Sequence, residues 1–309
     1  MPFFDTSAET DTLGSKLVRW ALDRFRAEGL EAEGFALTLL PFAAPLRPDG
    51  PERPSGFAYR GEVPFYPCSV VKAFYLAAAE ARLEEGALRD HAELDRAMRD
   101  MIRWSSNTAT NYVIDLVTGT TGDTLLDEGP MREWVERRQW VNRYFRGLGW
   151  PEAAAINLCQ KLMDDDRYGR EKSFVRMGGN NHNRLTTDAA ARLFYAIFTG
   201  RMVSGARSRT TADFLARPLE DAEFVAHPMG QIKGYFGAGL PRGAKLWSKA
   251  GWTTWTGDAD ASYRRHDAAY VELPSGRAFI LVAFTEGREI SARETVLPAV
   301  AGMTAELVG

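Results

Sequence analysis

The fold turns on Phe65-Tyr66-Pro67-Cys68-Ser69-Val70-Val71-Lys72-Ala73-Phe74-Tyr75-Leu76. Pro67 ends an extended approach, and the residues from Ser69 to Glu85 read as one helix. Val70, Val71 and everything from Ala73 to Ala79 are apolar, and a helix that is hydrophobic all round is a buried helix. Ser69 and Lys72 interrupt the run, three residues apart and therefore on one face. At a helix start, free N–H groups and the positive end of the dipole favour developing negative charge, which suits Ser69 as a nucleophile. Desolvation lowers an amine's pKa towards the range useful to a base, which suits Lys72. The same pair also fits a plain N-cap followed by a lysine that snorkels to water.

A chain of 309 residues can bury a large core, and 45% apolar with 26% charged residues is the composition of a soluble globular protein. A net charge of −3 gives no reason to expect nucleic acid or an anionic membrane as partner, which leaves a small-molecule substrate. The N-terminus, Met1-Pro2-Phe3-Phe4-Asp5-Thr6, has neither a basic nor an apolar region of a signal peptide, and no run approaches the roughly 18 apolar residues of a membrane span. The expected location is therefore cytoplasmic, save for a leader trimmed from the chain. Two cysteines, Cys68 and Cys159, make no disulfide framework, and His and Cys never cluster at metal-ligand spacing, so neither metal nor cofactor is expected.

Along the chain, Thr12–Glu28 reads as an amphipathic helix, Gly34–Leu40 and Phe57–Val63 as strands, with prolines 41, 45, 48, 51 and 54 between them. A helical block follows: Ser69–Glu85, His91–Trp104, Thr108–Val117, Pro130–Gly147 and Pro151–Met163. Asp164 to Asn183 is loop-like, and loops of this length are usually functional or disordered. Thr187–Gly200 and Gly205–Arg217 return to helix. Lys245–Gly251, Tyr263–Leu273 and Ala278–Glu286 are strands, the last two joined through Pro274-Ser275-Gly276, and Ser291–Val308 closes the chain as a helix. The order predicts an α+β fold in a single domain, 1–309. An antiparallel five-stranded sheet with flanking terminal helices (about 1–64 and 220–309) receives an inserted all-helical subdomain (about 65–219). A cleft between the two parts is the natural place for a small-molecule site.

Two more stretches bear on Ser69. Trp104-Ser105-Ser106-Asn107-Thr108-Ala109-Thr110-Asn111 spans a helix–helix turn, where Ser and Asn also serve simply as caps. Trp247-Ser248-Lys249-Ala250-Gly251-Trp252 ends the first returning strand, where a lysine and a glycine bend also fit an ordinary edge. In this order the three stretches resemble the penicillin-recognising serine hydrolases, most closely the class A β-lactamases. That family carries Ser-x-x-Lys at a buried helix start, Ser-x-Asn on a helical loop and Lys-Thr-Gly on a strand. The counterparts are Ser69 to Lys72, Ser105 to Asn107 and Lys249 to Gly251, with Ser105 to Asn111 keeping Ser-x-Asn-Thr-Ala-x-Asn. Asn183-Arg184-Leu185-Thr186-Thr187 is similar too, so the likeness runs from about Gly34 to the C-terminus.

The resemblance implies a β-lactamase/transpeptidase-like fold and a serine hydrolase that cleaves an amide, lactam or ester through an acyl-enzyme on Ser69. It implies Lys72 as general base, Ser105 as proton relay to the leaving group and Lys249 as nearby positive charge. Asn107 would position Lys72 and the substrate, and the backbone N–H groups of Ser69 and Trp252, with Gly251 between the strand and the acyl group, would form the oxyanion hole. Departures matter as much. Ser106 stands where the family usually has Asp, Ala250 where it has a hydroxyl that binds the substrate carboxylate, and Trp252 is bulky for its position. The long loop lacks the Glu-x-x-x-Asn whose Glu activates the deacylating water; Asp164, Asp165, Asp166 and Glu171 are the substitutes on offer, against a plain solvated acidic run. Arg264 and Arg265 fit either a replacement anion site or surface arginines. Poor hydrolysis of penicillins and better turnover of a compact neutral substrate are expected. A true β-lactamase or D,D-peptidase, and a non-catalytic binding or sensor domain on the same fold, remain the alternatives; substrate identity and oligomeric state are not legible in the sequence.

Overall fold

The computed structural model describes every residue except 1, 49 and 165, so Met1 and Asp165 lie outside the described residues. Ser7 opens α1 (Ala8–Phe25) with a capping box: its hydroxyl accepts from Thr10 N–H and Thr10 answers from its own side chain. Strands β1 (Phe35–Phe42) and β2 (Phe57–Tyr59) precede a short 3₁₀ turn, Cys68–Val70, that runs into α2 (Val71–Glu84). The helical block holds α3 (Ala92–Arg103), α4 (Asn107–Thr118), α5 (Glu128–Arg138), α6 (Trp140–Gly147), α7 (Gly169–Val175), α8 (Thr187–Phe198) and α9 (Gly205–Leu215). Then come β3 (Ala216–Arg217), α10 (Ala222–Ala226), β4 (Lys245–Thr253), β5 (Arg264–Glu272), β6 (Ala278–Glu286) and α11 (Val296–Val308).

The sheet is antiparallel throughout, in the order β2-β1-β6-β5-β4-β3. It has six strands where five were expected, because Ala216 and Arg217 leave the end of the helix read as Gly205–Arg217 and pair with Trp247 and Leu246. The period of two explains how one sheet serves two cores. On β6, Ile280, Val282 and Phe284 face the helical block while Phe279, Leu281 and Ala283 face the layer formed by α1 and α11. β1 and β5 divide in the same way, with Ala36, Leu40, Ala268 and Tyr270 on one side and Phe35, Leu37, Ala269 and Val271 on the other. With both faces covered, the strands carry apolar residues at nearly every position. The all-apolar α2 lies in the middle of the helical core, and every residue from Val70 to Ala81 is buried.

Two readings of the helical block need correction. The helix expected over Pro130–Gly147 is two helices, broken at Gln139, whose N–H closes α5 onto Val135 O. The helix expected over Pro151–Met163 is a single 3₁₀ turn, Pro151–Ala155, followed by extended chain. The reason is tertiary: side-chain amides take the backbone N–H groups that a helix would have used. Leu158 N donates to Asn142 Oδ1, Cys159 N and Gln160 N both donate to Asn183 Oδ1, and Leu162 N donates to Asn111 Oδ1. The chain then doubles back, with Asn157 bridged to Arg184 and Leu185 bridged to Phe65, just upstream of the nucleophile. Between these ends, α7 gives the long loop an anchor: its Glu171 meets the buried Arg138 guanidinium at 2.6 and 3.1 Å, and Arg138 also lies over Trp134.

Asn183 is the strongest of these latches, since its Oδ1 serves three donors (Tyr75 Oη, Cys159 N, Gln160 N) and its Nδ2 donates to Gln160 O. Asn183→Ala leaves those buried groups unpaired and is expected to cost about 3 kcal/mol of stability, read as a lowered urea midpoint at unchanged slope.

Candidate active site

The 3₁₀ turn that carries Ser69 begins at Cys68 with φ of 47°, a left-handed conformation uncommon for a residue with a Cβ. Ser105 is the second such residue at the site, at φ of 54° between α3 and α4. That twist turns both its carbonyl and its hydroxyl towards Lys72. Lys72 Nζ donates to Ser105 O and to Asn107 Oδ1 (2.7 Å) and lies 3.3 Å from Ser105 Oγ. The orientation of Asn107 is fixed by chemistry: its Nδ2 faces the Asp164 carboxylate, which only accepts, so its Oδ1 must face the lysine. Two of the amine's positions thus point at obligatory acceptors. In a neutral lysine the third is a lone pair, directed among hydroxyls. Lys72 is fully buried, and burial lowers its pKa to about 7, with Asp164 pulling the other way.

Lys249 approaches the same hydroxyl from the sheet. Its Nζ donates to Ser105 Oγ at 3.0 Å, to Ala250 O at 2.7 Å and to Gln231 Oε1, so all three protons are used. It is fully buried, and its pKa is held well below the ordinary lysine value by burial, then by Lys72 and Arg217. Gln231, in the left-handed region at φ of 56°, was not singled out from the sequence; no local pattern marks a glutamine that will cap a lysine from a distant strand. Ser106, in place of the usual Asp, caps α4 by accepting from Ala109 N.

Gly251 is required for a reason other than the expected one. A Cβ there would lie 2.5 Å from Ser69 N and 2.7 Å from Cys68 Cβ, so the strand comes too close to the nucleophile's own backbone for any side chain. The next residue, Trp252, is 45% exposed at the mouth of the cleft and donates from its indole to Ser291 O. A cavity of about 130 Å³ opens over Ser69 and is lined also by Tyr66, Asn107, Arg167, Trp252 and Asp258.

The remaining sequence candidates separate. Ser69, Lys72, Ser105, Asn107, Lys249, Gly251 and Trp252 converge, and Asp164 joins them through Asn107. Glu171 is locked in the Arg138 ion pair and Asp166 lines a neighbouring cavity. Arg264 and Arg265 are neither surface residues nor an anion site: Arg264 pairs with Glu286 at 3.0 Å, and Arg265 donates to Ser291 O between Trp252 and Tyr235. Both cysteines are free and buried, Cys159 in the asparagine-latched segment and not in a helix.

A family model described as the beta-lactamase enzyme family matches residues 89–306, a span that holds Ser105, Asn107 and Lys249. No curated protein matches the chain in sequence. Among solved structures, a beta-lactamase from Xanthomonas campestris pv. campestris is 20% identical, with 96% of this chain and 99% of that chain covered and a TM-score of 0.61. A beta-lactamase from Sphaerobacter thermophilus is 19% identical over 95% and 97%, with a TM-score of 0.62. PBP-A is 16% identical over 99% and 98%, at 0.63, and a mutant of it was solved as an acyl-enzyme complex with penicillin G. At these identities the structures speak for the fold.

Two outcomes are expected of this geometry. Labelling of Ser69 by an uncharged fluorophosphonate should accelerate as pH rises through about 7, because only neutral Lys72 can accept the hydroxyl proton, and Lys72→Arg should remove that inflection; intact mass against pH measures it. Gly251→Ala should slow the same labelling at least tenfold, since the added methyl meets the nucleophile's backbone N at 2.5 Å and that backbone must shift.

Proposed function

The chain belongs to the beta-lactamase enzyme family, an enzyme of the serine hydrolase type, and on that premise we propose that it cleaves an amide, lactam or ester through an acyl-enzyme on Ser69. Ser69 Oγ attacks the carbonyl carbon while its proton passes to neutral Lys72. The oxyanion that results is held by the N–H groups of Ser69 and Trp252. Collapse breaks the bond to the leaving atom, which takes the Ser105 proton as Ser105 takes one back from Lys72. Water then releases the acyl group. Asp164, joined to Asn107 and beside Lys72, is the carboxylate best situated to accept that water's proton.

The observation that carries this reading is the chain of contacts from Lys72 Nζ through Ser105 Oγ to Lys249 Nζ, at 3.3 and 3.0 Å. A hydroxyl that accepts from Lys249 has its own proton left to give, to the Lys72 lone pair or to a leaving group. A non-catalytic binding domain has no use for two buried amines on one hydroxyl.

The same contacts argue against penicillins as good substrates. The penicillin carboxylate would look for a cation and a hydroxyl beside Ser105. Lys249 is wholly buried with its protons occupied, and Ala250 has no hydroxyl. A charge-assisted hydrogen bond is worth on the order of 1.5–3 kcal/mol, so the loss is roughly ten- to a hundredfold in affinity. Since PBP-A is known as a penicillin G acyl-enzyme, benzylpenicillin is the informative comparison. It should be turned over poorly against small carboxylate-free esters and lactams, and Ser69→Ala should abolish both turnover and the covalent adduct while the far-UV spectrum stays parental. Turnover by Ser69→Ala at the parental rate would disprove the mechanism; efficient penicillin turnover without accumulated adduct would make this a β-lactamase in activity as well as in family.

A further inference from the structure

The Ser69 cavity does not end at the nucleophile. It continues into a second cavity of about 270 Å³ between the 164–183 loop and the chain after β4, and Arg167, Thr256 and Asp258 line both. Arg167 stands at the junction. Among the described residues its guanidinium makes one hydrogen bond, a long one of 3.3 Å from Nη2 to Lys161 O, and its Nε is buried without any partner. An arginine presents five donors in a planar fork matched to carboxylate or phosphate, and a buried N–H left unpaired is costly. Asp258 does not answer it: its Oδ2 is held by His182 Nε2 at 2.8 Å and its Oδ1 by Asp260 N at 3.0 Å. The other basic groups near Ser69 are already committed, Lys249 to its three acceptors and Arg217 to the carbonyls of Ile102, Arg103 and Ser248.

We propose that Arg167 is a specificity-determining residue and that the substrate carries a carboxylate on its acyl portion, seated on the Arg167 fork. This rests on the mechanism above, in which Ser105 protonates the leaving atom. The leaving group then lies on the Ser105 and Lys249 side, and the acyl portion extends towards Arg167. Ser105 is absent from the lining of either cavity, as that division requires. The expectation of an uncharged substrate is thereby narrowed: charge is shut out beside the leaving group and accepted on the acyl side. The class is a mono-amide, mono-ester or lactam of a short dicarboxylic acid or of an amino acid whose free carboxylate lies beyond the scissile carbonyl.

The test pairs p-nitrophenyl hydrogen glutarate with p-nitrophenyl pentanoate, acyl chains of like length with and without the terminal carboxylate. The parental protein should favour the glutarate at least tenfold in kcat/KM, Arg167→Gln should bring the ratio near one, and Arg167→Lys should keep part of it because charge survives while the fork does not. Equal kcat/KM for the two esters in the parent, or a preference that persists in Arg167→Gln, overturns the proposal. Binding is measured separately by calorimetry in Ser69→Ala, with glutaramate against pentanamide. Tighter binding of glutaramate that is lost on adding Arg167→Gln supports the Arg167 subsite even if neither ester is hydrolysed, and equal binding removes it. Hydrolysis that survives Ser69→Ala counts against the nucleophile alone, so the two failures are distinguishable.

Discussion

The Ser105 hydroxyl lies between two buried amines, 3.3 Å from Lys72 Nζ and 3.0 Å from Lys249 Nζ, and the charge that this pair can hold constrains everything around it. The amines are at most about 6 Å apart, and at an effective dielectric of about 20 two positive charges at that separation repel by on the order of 3 kcal/mol. Burial disfavours both charges again. Arg217, with its pKa lowered to about 10 by burial, adds a third cation to the region, and the buried Asp267 is the carboxylate that faces it, its own pKa raised by burial to about 7. A neutral Lys72 relieves much of this strain, and a neutral Lys72 is what proton abstraction from Ser69 needs. The arrangement that stabilises the folded core and the one that readies the base are the same.

Backbone geometry carries the rest of the constraint. Cys68 and Ser105 both hold left-handed conformations next to the reacting groups, and β4 approaches so closely at Gly251 that the strand and the nucleophile's turn share one envelope of space. Such positions persist only where surrounding packing over-determines them. Here that packing is α2, buried from Val70 to Ala81, clasped between the sheet and the other helices.

What the sequence disclosed and what it hid divide by range. The all-apolar run of α2, the two strand periods and the three short motifs are local patterns. From them the fold, with one strand fewer, and the convergence of Ser69, Lys72, Ser105, Asn107 and Lys249 are legible. The segment after Pro151 misleads because Ala153, Ala154, Ala155, Leu158 and Leu162 have helical spacing, yet Asn111, Asn142 and Asn183 take its N–H groups from outside. Gln231 and Arg167 matter through partners or vacancies far along the chain, and nothing within a window of their neighbours reveals them. Arg265 reads as exposed beside Arg264 until Trp252 and Tyr235 are seen to cover it.

The asparagine latches give this protein two thresholds of unfolding instead of one. The acceptors for residues 158–162 come from α4, α6 and the strand-like return at Asn183, so that segment does not fray one residue at a time; it is held or released as a unit. Its release draws away Asp164 and Arg167 but leaves Ser69, Lys72 and Ser105 rooted in the core. On the mechanism proposed, such a half-open molecule still takes an acyl group and cannot give it up. Mild heat or denaturant would then stall the enzyme as its own intermediate, with its sheet intact.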